Sequence, residues 1–150
     1  MSAFGISVSE GSTCIFKDPI SKREALDRLV DAVSSTGAVK NVEAFRRAVH
    51  ERESIMSTGI GQGIAIPHVR AEAITTPTVG VAVAPRGIDF DTLDNEPVYV
   101  IVMFAMPAGA QKEYLGLLAQ VMQALKDKNL KDRLLACNTA AEVLVVLDED

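Results

Sequence analysis

Val98-Tyr99-Val100-Ile101-Val102-Met103-Phe104 is apolar at every position, as expected of a strand whose alternate side chains enter two different buried layers. Upstream, Thr78 to Val83 alternates Val79, Val81 and Val83 with small residues and reads as a second strand. Asp94-Asn95-Glu96-Pro97 supplies turn chemistry between the two. A sheet buried on both faces needs two covers, and helical patterns lie on either side of it in the chain. Ser21-Lys22-Arg23-Glu24 has the form of a capping box, followed by Ala25, Leu26, Leu29, Val30 and Val33 at helical spacing before Gly37. Asn41 is placed to cap a second helix, with Val42, Phe45, Ala48 and Val49 on one face. After the strands, Tyr114, Leu115, Leu118, Val121, Met122 and Leu125 form a stripe, and Thr139-Ala140-Ala141-Glu142 opens a last helix carrying Val143, Leu144 and Leu147. The fold class expected is α/β, a sandwich of helices around a core of strands.

The chain has 150 residues, 48% of them hydrophobic and 23% charged, with 10 glycines and 6 prolines. That composition excludes collagen-like and disordered classes and suits one domain over residues 1–150. Fifteen Lys and Arg against twenty Asp and Glu give a net charge of −5, so a nucleic-acid or anionic-membrane partner is disfavoured. The longest apolar run, Val98 to Met106, is nine residues, about half of the roughly 20 needed to cross a bilayer. Residues 1–12 carry no Lys or Arg and do not read as a secretory signal. Cys14 and Cys137 stand far apart in no metal or redox spacing. A cytoplasmic location is expected.

Between the second helix and the strands lie Gly59, Gly61 and Gly63 on alternate positions, then Ile64-Ala65-Ile66, a short strand stopped by Pro67. The glycines follow a helix and precede a strand, the reverse of a dinucleotide-binding loop, and no Walker ending is present. Two readings of the loop stay open: a turn that needs positive φ angles, or an anion nest built from bare N–H groups with Ser57 and Thr58. His50 and His68 are the two histidines. Their spacing fits no metal pair, and His50, beside Glu51, Arg52 and Glu53, reads as a solvated helix residue. His68 follows Pro67, whose fixed backbone would hold the imidazole at the exit of the sheet.

Taken together, Arg52-Glu53, Ser57-Thr58-Gly59-Ile60-Gly61 and Gly63-Ile64-Ala65-Ile66-Pro67-His68 resemble the active-site signature of the fructose/mannitol-type enzyme IIA domain of the bacterial phosphoenolpyruvate-dependent sugar phosphotransferase system. The resemblance covers nearly the whole chain and extends to nitrogen-regulatory members. It implies a three-layer αβα sandwich with a mixed β-sheet. It further implies a phosphotransferase component in which His68 accepts a phosphoryl group from the phosphocarrier HPr, or its nitrogen-branch counterpart. A separate IIB protein, or a regulated protein, would be the next partner. By the same pattern Arg52 stabilises the phosphoryl group, with Ser57, Thr58, Gly59 and Gly61 as further phosphate contacts. No metal or cofactor is expected. Tyr114 stands where many transport members have a second histidine, and either faces the phosphoryl group or packs with Leu118.

Overall fold

A computed structural model describes residues 3–149. Strand β1 (Thr13–Ile15) leads to helices α1 (Lys22–Ser34) and α2 (Val42–Ile55). Strands β2 (Gly59–Gly61), β3 (Ile64–Ala65), β4 (His68–Ala71), β5 (Thr78–Ile88) and β6 (Val98–Pro107) follow, and then α3 (Gln111–Leu125), α4 (Lys128–Leu135) and α5 (Ala140–Glu149). The six strands form one sheet in the order β1-β5-β6-β3-β2, with β4 also on β6. It is mixed: β1 runs parallel to β5, β5 antiparallel to β6, and β3 and β4 both parallel to β6. Among the described residues no helix is long and apolar enough to cross a membrane.

Alternation along β6 builds both layers of the core. Val100, Val102, Phe104 and Met106 face α3, α4 and α5, where Val121, Leu125, Leu130, Leu134, Val143 and Leu147 meet them. Ile101, Met103 and Ala105 face Leu26, Leu29, Val33, Phe45 and Val49 of α1 and α2. Each large side chain so buried contributes about 1.5–3 kcal/mol relative to exposure. The caps are local: Ser21 Oγ accepts from the Glu24 N–H at 3.1 Å, Asn41 Oδ1 from the Ala44 N–H at 3.0 Å, and Thr139 Oγ1 from the Glu142 N–H at 3.2 Å. Glu24 does not complete a reciprocal box; its carboxylate pairs with Arg28 instead.

Several expectations are corrected. The first glycines of the loop are themselves a strand, β2, joined to β3 by a tight turn at Gln62 and Gly63, both at positive φ (57° and 79°). Pro67 does not end the sheet either. The pairing of Ile64 with Val100 continues in the same register to His68 with Phe104, so β3 and β4 are one strand line interrupted at Ile66 and Pro67. Leu115 lies outside the buried stripe and is exposed. His50 is half-buried, its Nε2 2.7 Å from Asp27 Oδ1, and so bridges α2 to α1 rather than standing in solvent.

Gly80 marks where α1 comes closest to the sheet. A Cβ there would lie 2.5 Å from Val33 Cγ2 and 3.0 Å from Leu29 Cδ1. Gly80→Val should therefore destabilise the fold by about 1–3 kcal/mol through overpacking, read as a lower urea midpoint; an unchanged midpoint would mean that α1 lies farther from β5.

Candidate functional site

Ile64, Ile66, His68 and Arg70 alternate onto the α3 side of the β3–β4 line, while Ala65 and Val69 enter the α1–α2 layer. His68 is partly buried at the start of β4. Its ring stacks on Tyr114 of α3, with centroids 4.9 Å apart and planes inclined by 24°. Tyr114 in turn meets Phe104 edge-on at 5.5 Å. Tyr114 is buried, and burial pushes its phenol above the usual range, so the ring stays uncharged. The structure stacks Tyr114 on His68 and at the same time seats it in the α3 layer, against which Leu118 packs.

The imidazole is oriented by the backbone. His68 Nδ1 lies 3.1 Å from Ile66 O. A carbonyl oxygen only accepts, so Nδ1 carries the hydrogen and Nε2 keeps the lone pair. Among the described residues Nε2 has no hydrogen-bond partner. Burial chiefly, and the charges of Arg52 and Arg70 with it, hold the His68 pKa below the ordinary imidazole value; the bond to Ile66 and the Glu53 carboxylate oppose this.

Arg52 sits in the last turn of α2, where Nη1 donates to Met56 O at 2.9 Å. Arg70 is exposed on β4, two residues beyond His68 on the same face. Among the described residues neither guanidinium has a carboxylate partner, and both lower the pKa of His68 and of Tyr114. Arg46 shows the alternative fate of an arginine here, being claimed by Asp27, Asp31 and Glu43. Arg70 was missed in the sequence because Pro67 reads as a strand stop. With β4 in place, its spacing from His68 is the signal.

Of the two readings of the loop, the hydrogen bonds of Ser57, Thr58 and Gly59 favour the turn. Thr58 is buried and gives both donors to Glu53, the N–H to Oε1 at 2.8 Å and the hydroxyl to Oε2 at 2.7 Å. Ser57 Oγ donates to Phe90 O at 3.2 Å and accepts the Gly59 N–H at 3.1 Å. Gly61 lies at the far end of β2 beside Asp94, at φ 90°. The donors of Ser57, Thr58 and the Gly59 N–H are thus engaged within the protein. The reason is Glu53, a buried carboxylate that needs donors and takes them from Thr58 and from Lys22, whose Nζ lies 3.0 Å away. Among the described residues no cluster of His, Cys, Asp and Glu could hold a metal ion.

Residues 11–150 match the family described as phosphoenolpyruvate-dependent sugar phosphotransferase system, EIIA 2. Among curated relatives, the PTS system fructose-specific EIIA component of Haloferax volcanii is 34% identical over 131 residues, covering 87% of this chain and 85% of that protein. The nitrogen regulatory protein of Escherichia coli K12 is 35% identical over 130 residues, covering 86% and 79%. Among solved structures, the mannitol enzyme IIA of Escherichia coli, in complex with phosphorylated mannitol enzyme IIB, superposes with a TM-score of 0.79 at 21% identity, covering 96% and 99%. Fold and match together define a phosphocarrier component of the phosphotransferase system. The chain belongs to the EIIA 2 family.

Because its pKa is held down, His68 should stay neutral at a pH where a free histidine is already protonated. In an NMR titration its midpoint should lie below about 6.5. Arg70→Gln removes one repelling charge and should move the midpoint up; a downward move would show that Arg70 does not act on His68.

Proposed function

We propose that the chain accepts a phosphoryl group from phosphorylated HPr on Nε2 of His68 and passes it to a fructose/mannitol-type IIB domain. The observation that carries this reading is the pairing of Nδ1 with Ile66 O, which leaves the Nε2 lone pair outward in the field of two guanidiniums without carboxylate partners. In the forward step the lone pair attacks the phosphorus of the donor phosphohistidine. The new N–P bond forms as the donor's N–P bond breaks, and the donor imidazole leaves with the electron pair. The proton stays on Nδ1, hydrogen-bonded to the Ile66 carbonyl, so no separate base is required. Arg52 and Arg70 stabilise charge on the equatorial phosphoryl oxygens, Arg52 through two parallel hydrogen bonds that lysine cannot reproduce.

Similarity to a nitrogen regulatory protein at 35% identity, against 34% for a fructose-specific component, supports a second reading, in which the phosphorylation state controls a partner protein. Labelled phosphoprotein offered to a fructose-type IIB domain separates the two: loss of label to IIB supports transport, and retention supports regulation.

Incubation with labelled phospho-HPr should place one acid-labile, alkali-stable phosphoryl group on the protein, and His68→Ala should abolish it. Labelling of the His68→Ala protein on His50 would overturn the assignment. Arg52→Lys should slow transfer by roughly 10- to 100-fold, since a charge-assisted hydrogen bond contributes about 1.5–3 kcal/mol, and should leave thermal unfolding nearly unchanged because Arg52 is partly exposed.

The role of Tyr114 is read from a pair of variants. Tyr114→Phe keeps the ring against His68 and should hold the transfer rate within about twofold, whereas loss of the stack in Tyr114→Ala should slow it by more. A large drop in Tyr114→Phe would instead put the hydroxyl on the phosphoryl group.

A further inference from the structure

Glu53 lies behind His68, on the far side of the strand line, and no hydrogen bond joins the two directly among the described residues. They are linked nevertheless. Glu53 receives the Thr58 N–H at 2.8 Å and the Thr58 hydroxyl at 2.7 Å. Thr58 O receives the Ile66 N–H at 3.0 Å. Ile66 O receives His68 Nδ1–H at 3.1 Å. Glu53 is itself fixed from α1 by Lys22 Nζ at 3.0 Å, and that ammonium also donates to Phe90 O at 3.1 Å and lies 4.5 Å from the centre of the Phe90 ring.

We infer that Glu53 is a positioning residue for the transfer: clamping Thr58 from two sides fixes the Ile66 peptide, and so the tautomer and aim of the His68 imidazole. The inference rests on His68 being the phosphoryl acceptor.

The physical case is one of donors and acceptors. Ile66 precedes Pro67, and its N–H and C=O point away from β6, toward β2. Among the described residues no strand covers that side beyond Thr58, so the Ile66 carbonyl is left to the imidazole, and its direction follows the Ile66 N–H bond to Thr58. Thr58 has two donors to satisfy in a buried position, and only a carboxylate presents two acceptor oxygens to both at once. A glutamine keeps one oxygen for the Thr58 N–H and Lys22, turns its NH₂ to the Thr58 hydroxyl, which must then accept instead of donate, and loses the charge that holds Lys22. The link is mechanical, since the covalent Cα atoms of Thr58 and Ile66 stand between successive peptide groups.

The test uses the full chain, unphosphorylated, with the ring nitrogens of His68 read by long-range ¹⁵N–¹H NMR and the transfer rate from phospho-HPr measured on the same samples. The native protein should show hydrogen on Nδ1. Glu53→Gln should shift a measurable fraction to the Nε2–H tautomer and slow transfer at least tenfold, with the variant shown to be folded by its unfolding curve. A folded Glu53→Gln with the native tautomer and rate overturns the inference. If loss of the carboxylate prevents folding, Thr58→Val and Thr58→Ser decide. Valine keeps the shape and loses one donor, and should move tautomer and rate in the same direction. Serine restores the donor and should restore both; valine behaving as native overturns the inference. Failure of phospho-HPr to label His68 of the native protein would instead overturn the functional reading, and the tautomer measurement would still report whether Glu53 acts on the ring.

Discussion

Pro67 has no N–H to give β6, yet the strand line that contains it stays in register from Ile64 opposite Val100 to His68 opposite Phe104. What preserves the register is the Pro67 carbonyl, which accepts the Phe104 N–H at 2.8 Å, together with regular pairing on either side. The strand therefore keeps its course while its hydrogen-bonding is interrupted at one point. There the neighbouring Ile66 carbonyl pairs with no strand among the described residues, and the His68 side chain takes it. An unbroken strand with a covered edge would have spent that carbonyl on a neighbour, leaving the imidazole without its anchor.

From this follows the division of labour around the sheet. The α1–α2 layer supplies the carboxylate of Glu53, its counter-ion Lys22, and the end of α2 with Arg52. The α3 layer supplies the aromatic floor, Tyr114 against His68 and Phe104. The sheet between them carries His68 and Arg70 on one side of a single strand. Two helical layers that share no core meet chemically at this edge, and the fold serves to fix their relative height.

The parts legible in the sequence were those with local causes. The unbroken apolar run of Val98 to Phe104 and the alternation in Thr78 to Val83 marked the sheet, and Ser21, Asn41 and Thr139 announced helix starts because a cap reads only the next three residues. His68 and Arg52 stood out through the resemblance carried by their neighbours. Glu53 did not stand out, because its role depends on Lys22, thirty-one positions earlier in the chain, and on a loop near Phe90. Ser57, Thr58 and Gly59 looked like free donors since nothing in a linear reading shows a buried carboxylate waiting beside them. Leu115 matched the helical stripe by spacing, but α3 turns it outward.

Arg52 and Arg70, which pair with no carboxylate among the described residues, place two positive charges near His68 in a protein whose net charge is −5. On the proposed chemistry that positive charge is offset in the reaction, because a phosphoryl group brings roughly −1.5 to −2 charges. The charge gained by one protein is the charge lost by the other. A donor bearing phosphate meets two positive charges, and after transfer those charges are already matched by the group on His68. The pull of the two arginines on an incoming phosphate is used up once the group is on His68, and added salt would blunt it at distances beyond the Debye length of about 8 Å.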